Sequence, residues 1–264
     1  MDLHEPYLLF NTRVKRKYSR KISRLSQVNL NRAWKRALED RVSKRTHASV
    51  RSIIDIYDDN LRYIDYNLNE LFSFLSSKEL VDSPLMILSS DHGQEFLDHG
   101  RVGHGSGNLY DEILHIPLIL FGPGIQNRLN RSLVSQLDIA LTILKFFEII
   151  APKDYRGYDA LSSHTNRFIL SEGYTRAQAQ RIYAVRTEKW KYIGTKKQLA
   201  QFYNLEKDPK ETKNVIDEEE AEAKEFEAII EEHIEWEEKL RRQRAIVYEK
   251  ERIRRKIRKL KPSA

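Results

Sequence analysis

The most regular pattern in the chain is a helical one. Over residues 49–79, Ile54, Tyr57, Leu61, Ile64, Leu68, Leu71 and Leu75 recur at spacings of three and four. This predicts an amphipathic helix with one continuous apolar face. Val81-Asp82-Ser83-Pro84 ends it, because Pro lacks a backbone donor and restricts the residue before it. Two short apolar runs follow, Leu85-Met86-Ile87-Leu88 and Pro117-Leu118-Ile119-Leu120-Phe121. They predict buried strands at 85–89 and 117–121, the second closed by the Gly122-Pro123-Gly124 turn. A short helical turn is expected at 109–114 and a helix at 136–149. Strands are expected at 167–171, 182–186 and 190–193. Residues 217–260 read as one long charged helix, its acidic start and basic end suited to the helix dipole. The polar, basic stretch 13–48 has room for one short helix.

Between the two apolar runs lies a loop rich in Gly, His and carboxylates. Asp91 and His92 fall where the first strand ends, the place where open α/β sheets bind ligands. They offer a hard oxygen and an imidazole nitrogen to a divalent cation. The plain alternative is a strand-end Asp capping a turn, with a neighbouring His. Glycines at 93, 100, 103, 105 and 107 permit backbone shapes closed to other residues, so the loop can fold His104 back over the pair. Glu95 and Asp111 are candidates to orient such ligands, or are equally capping carboxylates. His99 reads as loop architecture. His47, His115, His164 and His233 have no comparable context, and Trp190 and Trp236 read as packing residues.

The segment Ser90-Asp91-His92-Gly93, its Gly-rich loop, Leu109-Tyr110-Asp111-Glu112 and the Pro-containing strand closely resemble the sulfatase family of the alkaline phosphatase superfamily. Four further stretches resemble the family in its own order. They are Met1-Asp2-Leu3-His4-Glu5-Pro6-Tyr7; Tyr57-Asp58-Asp59-Asn60-Leu61-Arg62-Tyr63-Ile64-Asp65; Val134-Ser135-Gln136-Leu137-Asp138-Ile139-Ala140; and the run from Phe202 to Asn214 containing Asp208-Pro209-Lys210-Glu211. Leu141 stands where the family usually has Pro. The resemblance covers roughly residues 1–216. It implies an α/β fold, part of an alkaline-phosphatase-like sandwich, with a small C-terminal α+β subdomain and a long C-terminal helix. The implied divisions are 1–150, catalytic; 151–216, the small subdomain; and 217–264, a charged helical tail.

The same resemblance implies that Asp91 and His92 hold a divalent metal, Ca²⁺ first, with Mn²⁺ or Zn²⁺ as alternatives. It implies that His4 and His104 contact the ester or its leaving oxygen. Many sulfatases carry a Lys near the position of His104, and phosphate-cleaving relatives often a His, so the ester class stays open. The family's nucleophile arises from Cys or Ser in Cys/Ser-x-Pro-x-Arg, which this sequence lacks, as it lacks the early Asp-Asp pair. The chain therefore reads as the C-terminal portion of a longer enzyme acting on a sulfate ester or another anionic ester, with an N-terminal half as a missing partner. The alternatives are a phosphodiesterase or phosphoethanolamine transferase of the same superfamily, and a non-catalytic remnant that binds anionic partners.

Composition narrows this modestly. With no Cys there are no disulfides or thiolate metal sites; the compartment stays open, with the cytoplasm only as a default. No run of about 18 apolar residues predicts a membrane-spanning helix. The net charge of +7 is uneven: Arg13, Lys15, Arg16, Lys17, Arg20, Lys21 and Arg24 cluster, 217–238 is acidic, and 239–261 is basic. Such blocks attract anionic partners by long-range steering, or are solvated surface. Nothing in them specifies a nucleic acid.

Overall fold

The computed structural model describes residues 14–39, 42, 44–80, 84–105, 107–175, 179–195 and 200–260. The chain divides into two compact units, residues 1–165 and 166–264.

The first unit opens with α1 (Arg24–Leu38), capped by Ser23, whose hydroxyl accepts from the Ser26 N–H. The long helix α2 (Lys44–Ser77) follows. The two pack through Trp34, Ala37, Ile53 and Ile56, all nearly inaccessible. The buried line of α2 is Thr46, Ile53, Ile56 and Asn60, one position round from the stripe that spacing alone suggests. Ile54 and Tyr57 are half-buried, and Leu61 and Leu71 are exposed. The shift has a physical cause: α1 covers one flank of the helix, and beyond Asn60 no described residue of α2 is buried. Asp59 adds a polar anchor. Its carboxylate accepts from the backbone N–H groups of Lys17, Tyr18 and Ser19 and from the Ser19 hydroxyl, at 2.6–3.2 Å, which fixes the basic segment before α1.

Strands β1 (Met86–Ser89) and β4 (Leu118–Phe121) pair antiparallel, with Met86 opposite Phe121. They are not the buried strands expected. Leu88, Ile119 and Phe121 are exposed, because one face of this two-stranded sheet has no layer over it among the described residues. Between them lie a tiny hairpin, β2 (Glu95–Phe96) and β3 (Val102–Gly103), and a single helical turn, α3 (Asp111–Leu114). The hairpin docks on the helices. Val102 joins their core, and the Phe96 ring lies 5.6 Å from Trp34 and 5.1 Å from Tyr57. Helix α4 (Gln136–Phe146) begins with a capping box. The Ser135 hydroxyl accepts from the Leu137 N–H, and the Asp138 carboxylate accepts from the Ser135 N–H.

The second unit is a four-stranded antiparallel sheet in the order β5 (Ile169–Thr175), β6 (Gln180–Arg186), β7 (Trp190–Gly194), β8 (Gln201–Asn204), with α5 (Glu220–Leu260) packed on it. Alternation puts Tyr183, Val185, Tyr192 and Phe202 in contact with Ala223, Phe226, Ile230 and Ile234 of α5. Buried between strand and turn, Lys191 pairs with Glu211 at 2.5 Å, both side chains essentially inaccessible. The turn around Asp208 supports that pair. The Asp208 carboxylate accepts from the N–H groups of Thr212 and Lys213, while Asn214 accepts from the Phe202 N–H. On the rim, Arg181 donates to Glu172 and Glu237, and Glu172 also bonds His233. Among the described residues no helix is long and apolar enough to cross a membrane.

Candidate active site

The loop after β1 brings three of the four sequence-derived site residues together. Asp91 follows the strand end directly, and its side chain is 87% exposed. Its Oδ1 accepts from the His92 N–H at 3.0 Å. His92 Nδ1 lies 2.8 Å from the Gly93 carbonyl oxygen. That oxygen can only accept, so Nδ1 carries the proton and, in the neutral ring, Nε2 bears the lone pair. Nε2 then faces Asp91 Oδ2 at 3.7 Å. Two acceptors turned toward each other at the surface suit a cation between them. The same pair forms an ion pair when the imidazole is protonated. The Asp91 carboxyl sits below its ordinary value: slight burial pushes it up, but the neighbouring His92 ring and hydrogen bonds from the Asp91 and His92 N–H groups outweigh that.

His104 stacks on His92, ring centroids 4.2 Å apart at 17°, and its Nδ1 lies 3.3 Å from Gln94 Oε1. The backbone beneath is tightly specified. The Gly93 N–H donates to the Ile113 carbonyl and the Gln94 N–H to that of Glu112, both at 2.8 Å. A Cβ on Gly93 would sit 2.0 Å from the Glu112 oxygen, so this close approach requires glycine. Gly103, immediately before His104, has φ +89°, a second position where a side chain would be strained. His4 lies outside the described residues.

Other groups support this corner, among them Glu95, which the sequence offers as a candidate, and Gln136, which it does not single out. Gln136, at the start of α4, donates its amide to the carbonyls of Ser90 and Asp91 at 3.1 and 3.0 Å, and the Ser90 hydroxyl donates to the His92 carbonyl at 2.7 Å. These bonds fix the turn that carries Asp91 and His92. Glu95 is 1% exposed. Burial pushes its carboxyl up, the Arg101 and His99 N–H groups pull it down, and nearby Glu112 raises it again; the net shift is upward. His99 Nδ1 pairs with Glu112 at 2.8 Å, its ring stacked on Tyr110.

The donor set suits part of a metal shell. Ca²⁺ takes six to eight oxygens, and Asp91 with His92 supplies one carboxylate and one nitrogen. Among the described residues, no third His or carboxylate joins them within 4.8 Å to form a three-residue ligand group.

Known proteins resemble this chain in sequence and in fold. The sulfatase family profile matches residues 4–149, and the profile described as N-sulphoglucosamine sulphohydrolase, C-terminal, matches 104–240. The chain belongs to the sulfatase family. It is 31% identical over 189 residues to arylsulfatase K of Bos taurus, covering 65% of this chain and 35% of that one. It is 27% identical to choline-sulfatase of Rhizobium meliloti, with the same coverage. The chain thus spans about a third of the length of these curated relatives. In fold it resembles BT4656, solved with its substrate D-glucosamine-2-N,6-O-disulfate (TM-score 0.61, 21% identity, 81% of this chain and 48% of that one). It also resembles the phosphonate monoester hydrolase of Agrobacterium radiobacter (TM-score 0.57, 21% identity, 74% and 42%). The α/β class and the long C-terminal helix expected from sequence are those found.

Proposed function

We propose that this chain supplies one side of the catalytic centre of a divalent-metal-dependent sulfate-ester hydrolase, and that the nucleophile comes from sequence outside residues 1–264. The observation that carries this reading is the His92 ring. Its Nδ1 is committed to the Gly93 carbonyl, so Nε2 faces Asp91 Oδ2. Asp91 and His92 would hold the metal, Ca²⁺ by family preference, with Mn²⁺ or Zn²⁺ as alternatives. When bound, the metal would neutralise charge on the non-bridging oxygens of the ester. His104, stacked on His92, would contact those oxygens or protonate the leaving group. His4 is assigned the same kind of contact on the strength of its motif alone. The remaining ligands and the cover for the exposed apolar side of the first unit would come from the rest of a sulfatase fold.

The test is hydrolysis of an activated aryl sulfate, run beside an aryl phosphonate ester, with Ca²⁺ or Mn²⁺ present. The 264-residue chain alone should give no turnover above a His92→Ala control. Co-expressed with a segment carrying the Cys/Ser-x-Pro-x-Arg region of a related sulfatase, it should give sulfate-ester turnover that Asp91→Asn abolishes. Preferential cleavage of the phosphonate would move the assignment to the phosphate-cleaving branch. Turnover by the chain alone, or turnover indifferent to Asp91→Asn, would contradict the proposal.

A further inference from the structure

A buried carboxylate lies in the hairpin between the two stacked histidines in sequence. Glu95 lies wholly inside the β2–β3 hairpin. One of its oxygens accepts from the His99 N–H at 3.0 Å and the Arg101 N–H at 2.8 Å. The other accepts from the Asn108 amide at 2.5 Å. The carboxylate therefore ties the 97–101 turn from within and fastens the hairpin to the chain that follows His104. Asn108 extends the tie to Glu112 at 3.2 Å, and Glu112 holds His99.

The hairpin's ladder is too short to fix its own geometry. Each strand has two residues, and Glu95 is the register partner of Gly103. His104 is the next residue after Gly103, and Gln94, which faces the His104 ring, is the residue before Glu95. A change in the hairpin's twist would move the His104 ring against both Gln94 and His92.

We propose that Glu95 is a positioning residue of this site: its donor-surrounded carboxylate folds the hairpin so that His104 stacks on His92. The inference rests on the reading of Asp91, His92 and His104 as the site's polar groups. Chemistry makes it specific to a carboxylate. Each of the hydrogen bonds to Glu95 described above comes from an N–H donor, so a Gln of the same shape would set an N–H₂ against another N–H. A residue that merely filled space would tolerate that exchange. A residue that sets geometry through acceptance would not.

The experiment uses the full 264-residue chain labelled with ¹⁵N-histidine. Long-range ¹H–¹⁵N spectra read the ring nitrogens of His92 and His104 in the wild type, Glu95→Gln and Thr142→Val. The last removes the Thr142 hydroxyl that accepts from the Ala160 N–H, a loss in the same unit away from the hairpin. Circular dichroism and a thermal melt accompany each protein. In Glu95→Gln, the His92 and His104 signals should move toward free-histidine positions, and Mn²⁺ affinity, read by relaxation of water protons, should fall about tenfold, the usual scale for losing a group that supports a ligand. Thr142→Val should leave both readouts unchanged. If Glu95→Gln does not fold, Asn108→Ala, which removes one donor and keeps the carboxylate, should show the same shifts at smaller size. Unchanged ring signals in a folded Glu95 or Asn108 variant would overturn the proposal, as would equal movement in Thr142→Val. A wild type that binds no Mn²⁺ but shows the ring shifts on Glu95→Gln would sink the metal assignment and leave the positioning role standing.

Discussion

The two units treat their apolar surface differently. In the second, the sheet face toward α5 is closed: Val185 and Phe202 are fully buried, and Phe226 and Ile230 nearly so. In the first, the distal half of α2 and the β1–β4 pair carry comparable side chains in the open. Leu71, Phe72, Phe74, Leu88, Ile119 and Phe121 are all between 37% and 57% exposed. Phe72 and Phe121 lie 6.3 Å apart edge to face, so helix and strand form one continuous bare surface. Burial stabilises by roughly 25 cal/mol per Å², and large bare patches drive association. The second unit has what it needs to hold itself together. The first carries a surface that calls for a further layer, which in the proposed reading is the rest of the sulfatase fold.

The largest effect that sharpens this contrast belongs to the closed unit. Lys191→Met removes the buried positive charge beside Glu211 and should cost about 3–5 kcal/mol, while a paired apolar replacement of both recovers most of it. Urea unfolding of the two variants measures the difference. A single-variant cost below about 1 kcal/mol would mean the pair is wetter than it looks.

The bare surface of the first unit should make the chain associate as concentration rises. Phe72→Lys together with Ile119→Lys should shift sedimentation toward monomer, weakening association at least tenfold, since each side chain carries about 1.5–3 kcal/mol of burial. A wild type that stays monomeric and melts sharply and reversibly would break the comparison.

A smaller effect separates the anchored start of the first unit from its bare end. Burial alone would raise the Asp59 carboxyl, but the Ser19 hydroxyl and the N–H groups of Lys17, Ser19 and Tyr18 hold it below its ordinary value of 3.8. A depressed folded-state value means that the stabilisation is complete above the unfolded value and fades as pH falls through the folded one. Asp59→Asn should therefore cost about 1.5–3 kcal/mol near neutrality. Thermal melts should show the gap to wild type closing as the solution is acidified below pH 3.8. A gap that is constant with pH would place the anchor elsewhere.

How much of this was legible in the sequence depended on the range of the interaction. Period marks α2, short apolar runs mark β1 and β4, and the acidic-to-basic charge order marks α5, because each of these signals is local. Period missed β8, because Gln201-Phe202-Tyr203-Asn204 is too short to show alternation and owes its pairing to β7. It put the α2 stripe one position off, since which flank is buried depends on where α1 lies. In the candidate site, Asp91 and His92 were visible as neighbours at a strand end. Glu95 stands beside Asp111 as a candidate to orient the ligands, but its partners are not legible, because two of them are backbone N–H groups that any sequence offers. Gln136 left no signal at all: its acceptors are backbone carbonyls more than forty residues earlier.

In the proposed reading, Asp91 and His92 form a cation-binding corner, with His104 beside them. The direct measurement is titration of the ¹⁵N-histidine-labelled chain with Mn²⁺, following paramagnetic broadening of each histidine ring. His92 and His104 should broaden first, and Asp91→Asn should remove the effect. Broadening that begins at His233, where Glu172 and Glu237 offer a rival ligand set, or that persists unchanged in Asp91→Asn, would contradict that reading.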